Sequence, residues 1–334
     1  MSGYAIDMIV VRHRGHNGYC HFFSNRLILQ LGDGRLGLAH AAAHAFNVSS
    51  YPMSMVNITI NRRPVETDDK VPLVIHPQSG AAYFNRQRYP NRLSSREWSR
   101  IHLNPGVNFG QYDIPGMRPI PFKVFLYEST DRLVFTDVDG TITGSDLRGH
   151  TAHQLDRVYN HAGVEGFFGA INSKGYKIVY LTARSIDWIN RSKQYLFQMS
   201  RLPEGPLLCS EEQLVTAFFT EMTAKIPRLP HSGPSSLAEM KRIIILSVVR
   251  NFDRNKQDNP AIIGNVIAGA YGNRSTDTAA YSAAGVRGDR IWIIAKPSML
   301  SGQSVLTCPA TRKTFNYGYG EKLGELDRYY PRYY

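Results

Sequence analysis

Residues 133–146 read LVFTDVDGTITGSD, and this stretch restricts the fold more than any other. An apolar, β-branched run from Leu133 to Phe135 ends in two aspartates, Asp137 and Asp139, followed at once by Gly140 and Thr141. Alternate side chains of a strand share a face, so the two carboxylates start on one side. A strand that stops there presents both at its carboxyl edge, where open α/β sheets bind ligands. Two carboxylates so close repel each other unless a cation or a proton separates them. A hard divalent cation with oxygen ligands suits such a pair. One aspartate is then placed for nucleophilic attack and the other for proton transfer. Asp-X-Asp-Gly alone is also a common turn, so the segments that follow it decide the reading.

Residues 176–184 read YKIVYLTAR, a buried-strand pattern with Thr182 at its end. The interval from Asp137 holds a helix and a return strand, one βαβ unit. Lys241 stands in LAEMKRIIIL, a helical segment. Residues 269–278 read GAYGNRSTDT, with Asn273 and Asp277 four apart, a spacing that one helical turn or a tight loop brings together.

DxDxT after an apolar strand resembles the first motif of the haloacid-dehalogenase (HAD) phosphatases. The three later segments resemble the remaining motifs in order. DVDGTITGSD with a downstream GNRxxD resembles the lipins, Mg²⁺-dependent phosphatidate phosphatases, and YLTAR, LPEGPLL at 202–208 and AGVRGDRIWII at 284–294 are further matches. GYAIDMIVVRHRGHNGYCHFF, VNITINRRPVE and SGAAYF, all before residue 85, resemble the N-terminal lipin region. The whole is similar to a minimal lipin, with no long insert between the two regions.

The resemblance implies roles for several residues. Asp137 is the nucleophile and Asp139 the acid and base, while Thr182 and Lys241 stabilise the phosphoryl oxygens. Mg²⁺ is held by Asp137, the main-chain carbonyl of Asp139, and Asn273 or Asp277. The family at large usually has an acid at the position of Asn273, and an amide oxygen can still ligate Mg²⁺. Thr141, Arg184, Arg274, Arg86, Arg88, Arg92 and Trp98 complete the candidate set, as contacts to substrate or membrane. The reaction implied is hydrolysis of phosphatidic acid to diacylglycerol and phosphate through an aspartyl-phosphate. Two alternatives are a soluble HAD phosphomonoesterase on a non-lipid substrate and a non-enzymatic phospholipid-binding module.

The expected fold is α/β plus all-β. An immunoglobulin-like β-sandwich spans 1–130, comprising an N-terminal region (1–85), a basic linker (86–103) and completing strands (104–130). A HAD-like doubly wound parallel sheet spans 131–300, and a Tyr-rich tail 301–334 packs on the sandwich or stays loose. Strands are expected at 5–11, 26–31, 56–60, 71–76 and 81–84, with a hairpin at Asn17-Gly18 and a short helix at 39–46. In the second region strands fall at 132–137, 176–181, 261–268 and 290–295, with helices at 150–168 and 185–200. Residues 227–236, PRLPHSGPSS, read as a surface loop.

A net charge of +12, from 39 basic and 27 acidic residues, implies an anionic partner. Arg86, Arg88, Arg92, Arg96 and Arg100 cluster with Tyr89 and Trp98, a composition suited to an anionic membrane surface as well as to a solvated linker. No nucleic-acid-binding motif accompanies the charge, so nucleic acid is not expected as a partner. Three separated cysteines make no disulfide framework. His13, His16, Cys20 and His21 crowd one hairpin in a spacing that fits no standard zinc site. The expected location is cytoplasmic, with reversible attachment to the endoplasmic reticulum or nuclear envelope. Lipins tend to begin with an amphipathic helix, and only Met1 to Gly3 precede Tyr4 here.

Overall fold

The computed structural model describes residues 3–16, 18–31, 55–75, 81–84, 91–144, 159–184, 186–209, 237–253, 260–296 and 303–333. Asn17, Arg86, Arg88, Tyr89, His150, the expected helix at 39–46 and the loop at 227–236 lie outside these residues.

The N-terminal strands are β1 (Gly3–Ala5), β2 (Met8–Arg14), β3 (Cys20–Ser24), β4 (Leu29–Leu31), β5 (Met55–Ile60), β6 (Arg63–Pro64), β7 (Leu73–Ile75), β8 (Ala82–Phe84), β9 (Gly106–Asp113) and β10 (Ile120–Glu128). Among the described residues they form one long sheet, in the order β3-β2-β10-β9-β5-β7-β8 with β6 beside β5, and a short ribbon of β1 and β4. A single bridge from Gln30 to Ala81 joins the ribbon to the far end of the sheet. β2 and β10 run parallel, and the other pairs are antiparallel.

β2 explains why the run from Met8 to Val11 is apolar throughout. Met8 and Val10 enter the core of the N-terminal sheet. Ile9 and Val11, on the opposite face, enter the core of the second region. A strand buried on both faces loses the usual alternation of apolar and polar residues. Asp7, just before it, is fully buried. Its carboxylate accepts the backbone N–H of Lys123 at 2.9 Å and of Leu207 at 3.3 Å, and pairs with Lys193 at 2.6 Å. One side chain thus ties both regions together.

The second region contains β11 (Leu133–Asp137), β12 (Lys177–Thr182), β13 (Leu207–Cys209), β14 (Ile267–Gly272), β15 (Ile291–Ile294), β16 (Leu306–Thr307) and β17 (Thr314–Phe315). The sheet order is β13-β12-β11-β14-β15-β16-β17. The first five strands are parallel and the last two antiparallel. This is the parallel sheet expected for the second region. The chain moves outward from β11 to β13, then returns to β14 beside β11. That reversal opens a crevice at the carboxyl ends of β11 and β14, where ligands of such sheets bind.

The structure corrects three expectations. The run 261–268 is a strand only at its last two residues. Residues Pro260–Val266 form a helix and β14 begins at Ile267. Pro260 at the first helical position has no N–H to leave unpaired. Gly269 within β14 allows Tyr330 to approach, since a Cβ there would meet the Tyr330 hydroxyl at 2.1 Å.

The basic linker is the second correction. Ser95–Arg100 is a helix with a Ser94–Glu97 capping box, and Trp98 is 0% exposed. Its indole N–H donates to Ser24 Oγ at 3.2 Å. Trp98 therefore belongs to the sheet core and presents no surface to a membrane. Arg96 and Arg100 pair with Asp68, which cancels part of the expected charge. Arg92 lines a cleft between the two regions with Arg26, Leu208 and Ile243.

The third correction concerns the tail, which packs on the α/β region rather than on the N-terminal sheet. Tyr319 and Tyr330 are buried with Phe167 and Tyr271. The Tyr333 hydroxyl donates to the Gly175 carbonyl and accepts the Arg132 N–H. Among the expected helices, that at 150–168 is described from residue 159, and the helix runs Val164–Ser173. The 185–200 segment contains a 3₁₀ turn, the helix Ile189–Lys193 and a π turn.

Candidate active site

The site is built on the end of β11. All five of its residues are buried, and Asp137 is the last. The chain then turns tightly, with the Val138 carbonyl accepting N–H groups from Thr141, Ile142 and Thr143. Gly140 has φ +82°, a conformation that a side chain resists. A Cβ on Gly140 would lie 2.0 Å from Asn273 Nδ2. The missing side chain lets the loop after β14 meet the loop after β11.

Lys241 projects from the helix Leu237–Val249 into this junction. Its ammonium donates to Asp137 Oδ1 at 2.6 Å and to Asp277 Oδ1 at 2.5 Å. The three groups are almost wholly buried. Asp277 sits in the first turn of the helix Ser275–Ala283, where its Oδ2 accepts the backbone N–H of Asn273 (2.9 Å) and Arg274 (3.0 Å). It therefore caps the helix with one oxygen and faces Lys241 with the other. Gly272 allows this approach, because a Cβ there would lie 2.3 Å from Asp277 Cβ.

Burial raises the Asp137 carboxyl to about 7, against the pull of Lys241, with Asp277 and Asp139 adding to the rise. Burial also works against the charge on Lys241, but Asp137 and Asp277 outweigh it and raise the amine. The charge balance is tight, with one ammonium shared by two carboxylates.

Asp139 is held separately. Thr182 Oγ1, at the end of β12, donates to Asp139 Oδ2 at 3.0 Å. Arg184 donates through Nε (3.0 Å) and a terminal nitrogen (2.6 Å) to Asp139 Oδ1. Ser192 accepts a third Arg184 bond at 3.1 Å. Thr141 is fully buried, with its hydroxyl 3.4 Å from Asp137 Oδ2. Arg274 is half-buried at the helix start.

The expected residues Asp137, Asp139, Thr141, Thr182, Arg184, Lys241, Asn273, Arg274 and Asp277 thus meet at one rim of the sheet. Arg92 and Trp98 lie elsewhere. Thr182 and Arg184 are engaged with Asp139, a role that sequence reasoning did not assign. It also missed His161, whose Nε2 lies 3.1 Å from the Gly140 carbonyl.

The donor set suits a hard cation. Asp137, Asp277, the Asn273 amide and main-chain carbonyls offer oxygen only. The two carboxylates already converge on one positive charge. Among the described residues no three His, Cys, Asp or Glu side chains form a metal cluster. Amide and main-chain oxygens are the further donors that the described residues offer to a cation here.

Residues 90–318, more than half of the chain, match the LNS2 (Lipin/Ned1/Smp2) family. The chain belongs to that family. Over 212 residues it is 31% identical to human phosphatidate phosphatase LPIN2, covering 61% of this chain and 22% of that protein. It is 30% identical over 208 residues to nuclear elongation and deformation protein 1 of Schizosaccharomyces pombe, covering 61% and 29%. It is 28% identical over 208 residues to phosphatidic acid phosphohydrolase 1 of Saccharomyces cerevisiae, covering 61% and 23%. The chain spans less than a third of the length of these relatives. The LNS2 match includes every site residue from Asp137 to Asp277, whereas the region before residue 85 lies outside it.

Proposed function

We propose that this LNS2 chain is a phosphatidate phosphatase, which hydrolyses phosphatidic acid to diacylglycerol and phosphate with Mg²⁺. The observation that carries this reading is the placement of Asp137 and Asp139 at the sheet's reversal point, with Lys241 and Asp277 beside the first and Thr182 and Arg184 beside the second.

Asp137 attacks phosphorus in line, forming an O–P bond as the bond to the glyceryl oxygen breaks. Asp139 donates its proton to that departing oxygen. It then takes a proton from water as the water attacks the aspartyl-phosphate, releasing phosphate and restoring Asp137. Lys241 and Thr182 offer donors to the equatorial oxygens, where charge and positioning supply most of the acceleration. Asp137, the Asp139 carbonyl, Asn273 and Asp277 are the residues that would hold Mg²⁺. The cation would supply charge that screens the incoming phosphate from the nucleophile.

The N-terminal sheet we read as immunoglobulin-like, with β9 and β10 completing strands that begin at β2. Among the described residues no helix is long and apolar enough to cross a membrane. We place the enzyme at an anionic membrane surface, reversibly bound on the cytoplasmic side of the endoplasmic reticulum or nuclear envelope. The net charge of +12 supports this.

The test is phosphate release from phosphatidate in mixed micelles, with and without Mg²⁺, against a water-soluble phosphomonoester. Mg²⁺-dependent release that strongly favours phosphatidate is the expected result. Equal rates on both substrates point to a soluble phosphomonoesterase and overturn the lipid assignment.

A further inference from the structure

The loop that carries Asp139 is gripped from a distant part of the chain. His161 is 2% exposed, yet both ring nitrogens have partners. Nε2 lies 3.1 Å from the Gly140 carbonyl and Nδ1 lies 2.5 Å from Ser304 Oγ. A carbonyl can only accept, so Nε2 carries the hydrogen. Nδ1 is then left as an acceptor, and the Ser304 hydroxyl donates to it. Burial favours the neutral ring. The contacts together select one tautomer in one orientation, in the way that a hydrogen bond on one ring nitrogen sets the role of the other.

The next carbonyl is held too. The buried Tyr319 hydroxyl donates to the Thr141 carbonyl at 3.1 Å. Ser304 and Tyr319 both lie beyond β15, the last parallel strand. The contact is close. Gly163 has φ +78°, and a Cβ there would lie 2.8 Å from the Gly320 nitrogen. Gly318 has φ +58°, and its Cβ would lie 3.0 Å from the Ser304 carbonyl. The His161 backbone N–H donates to Ile142 at 2.9 Å, which fixes the histidine to the same loop.

We propose that His161, held by Ser304, is a positioning residue for Asp139, and that the C-terminal segment is a working part of the catalytic loop. Two successive carbonyls just after Asp139 are engaged, that of Gly140 by His161, which Ser304 holds, and that of Thr141 by Tyr319. The peptides that set the direction of the Asp139 side chain and carbonyl are therefore fixed from outside the motif. The side chains of these three residues are engaged with the loop's carbonyls and with one another. The role in turnover rests on the phosphatase reading, whereas the hydrogen-bond chain does not.

The test has two arms. Ser304→Ala should lower kcat roughly tenfold to a hundredfold with KM unchanged, the pattern of a small misplacement of a reacting group. His161→Gln keeps an amide that can donate to Gly140 and accept from Ser304, so it should retain more kcat than His161→Leu. Unchanged kcat in folded Ser304→Ala, or equal losses in His161→Gln and His161→Leu, overturns the positioning role. In the second arm, ¹⁵N NMR of the wild-type imidazoles should show His161 protonated at Nε2 and bare at Nδ1. Hydrogen exchange at Thr141 to Thr143 should quicken in Tyr319→Phe. The opposite tautomer, or unchanged exchange, overturns the grip itself. Should wild type release no phosphate from phosphatidate, the function falls while the NMR arm still decides the grip.

Discussion

Asp7 and Asp137 are buried aspartates that each pair with a lysine, and they serve opposite ends. Asp7, at the junction of the two regions, has an ammonium at 2.6 Å and accepts two backbone N–H groups as well. Its charge is answered by donors from three parts of the chain. Asp137, at the rim of the parallel sheet, also has an ammonium at 2.6 Å, but shares it with Asp277 and has Asp139 nearby. Burial pushes that carboxyl up to about 7. A fully answered carboxylate holds a structure together, whereas an under-compensated one is kept reactive and ready for a cation or a phosphoryl group. Reactive sites commonly carry such perturbed groups.

Substitution should separate the two sharply. Asp137→Asn should cut turnover on the order of 10⁴-fold or more, with no loss of thermal stability, because it removes one of two carboxylates competing for Lys241. Asp7→Ala should do the reverse. It leaves a buried ammonium and two N–H groups unanswered, so denaturant titration should show a loss of about 3–5 kcal/mol. The folded fraction should keep its kcat. A stability loss in Asp137→Asn equal to that in Asp7→Ala would break the contrast.

Trp98→Ala sharpens it from the packing side. The indole is fully buried, so truncation should cost about 3–5 kcal/mol. Vesicle binding by the folded variant should be unchanged, and a selective loss of vesicle binding would restore Trp98 to the membrane face. Gly140→Ala places a methyl group against Asn273 at a positive φ. Steady-state assays should show activity falling by at least about tenfold, more than its melting temperature would suggest.

Much of the active rim was legible in the sequence because its parts are local. An apolar strand ending in Asp137-Val-Asp139-Gly needs no tertiary information to place two carboxylates at an edge. Asn273 and Asp277 are similarly joined by one turn. The grip on Asp139 was not legible. Thr182 reads as a strand-end hydroxyl, and its partner lies 43 residues away. His161 and Ser304 are 143 residues apart, in segments with no distinctive spacing. Trp98 misled for a different reason. Its arginine neighbours give the segment a surface composition, while the Ser94–Glu97 box starts a short helix whose one apolar face turns inward. Helix and strand were confused at 261–268 because a short apolar run fits both until Pro260 and Gly269 are given their positions.

Lys322 is the limiting case in the comparison, a buried amine with no hydrogen-bond acceptor among the described residues. Its Nζ lies 2.9 Å from the Trp292 ring centre and 3.8 Å from that of Tyr329. The rings favour the charge, but burial prevails with no oxygen among the described residues to take its protons, and lowers the amine to about 5. The unfolded chain then binds a proton that the folded chain lacks between about pH 5 and the ordinary lysine value of 10.5. Stability from this group therefore rises with pH across that window. Lys322→Leu should raise the melting temperature by a few degrees, roughly 2–4 °C for each kcal/mol regained. The gain should shrink as pH rises from 6 to 9. A gain that is flat with pH would mean that Lys322 is charged in the folded protein.

The most direct measurement is to trap the intermediate. Turnover on phosphatidate is quenched in acid, reduced with borohydride and mapped by peptide mass spectrometry, which converts an aspartyl-phosphate to homoserine. The account predicts homoserine at position 137 alone, and none in protein incubated without substrate. Homoserine at 139 or 277, or active protein that never yields it, would contradict the assignment of Asp137 as the attacking group.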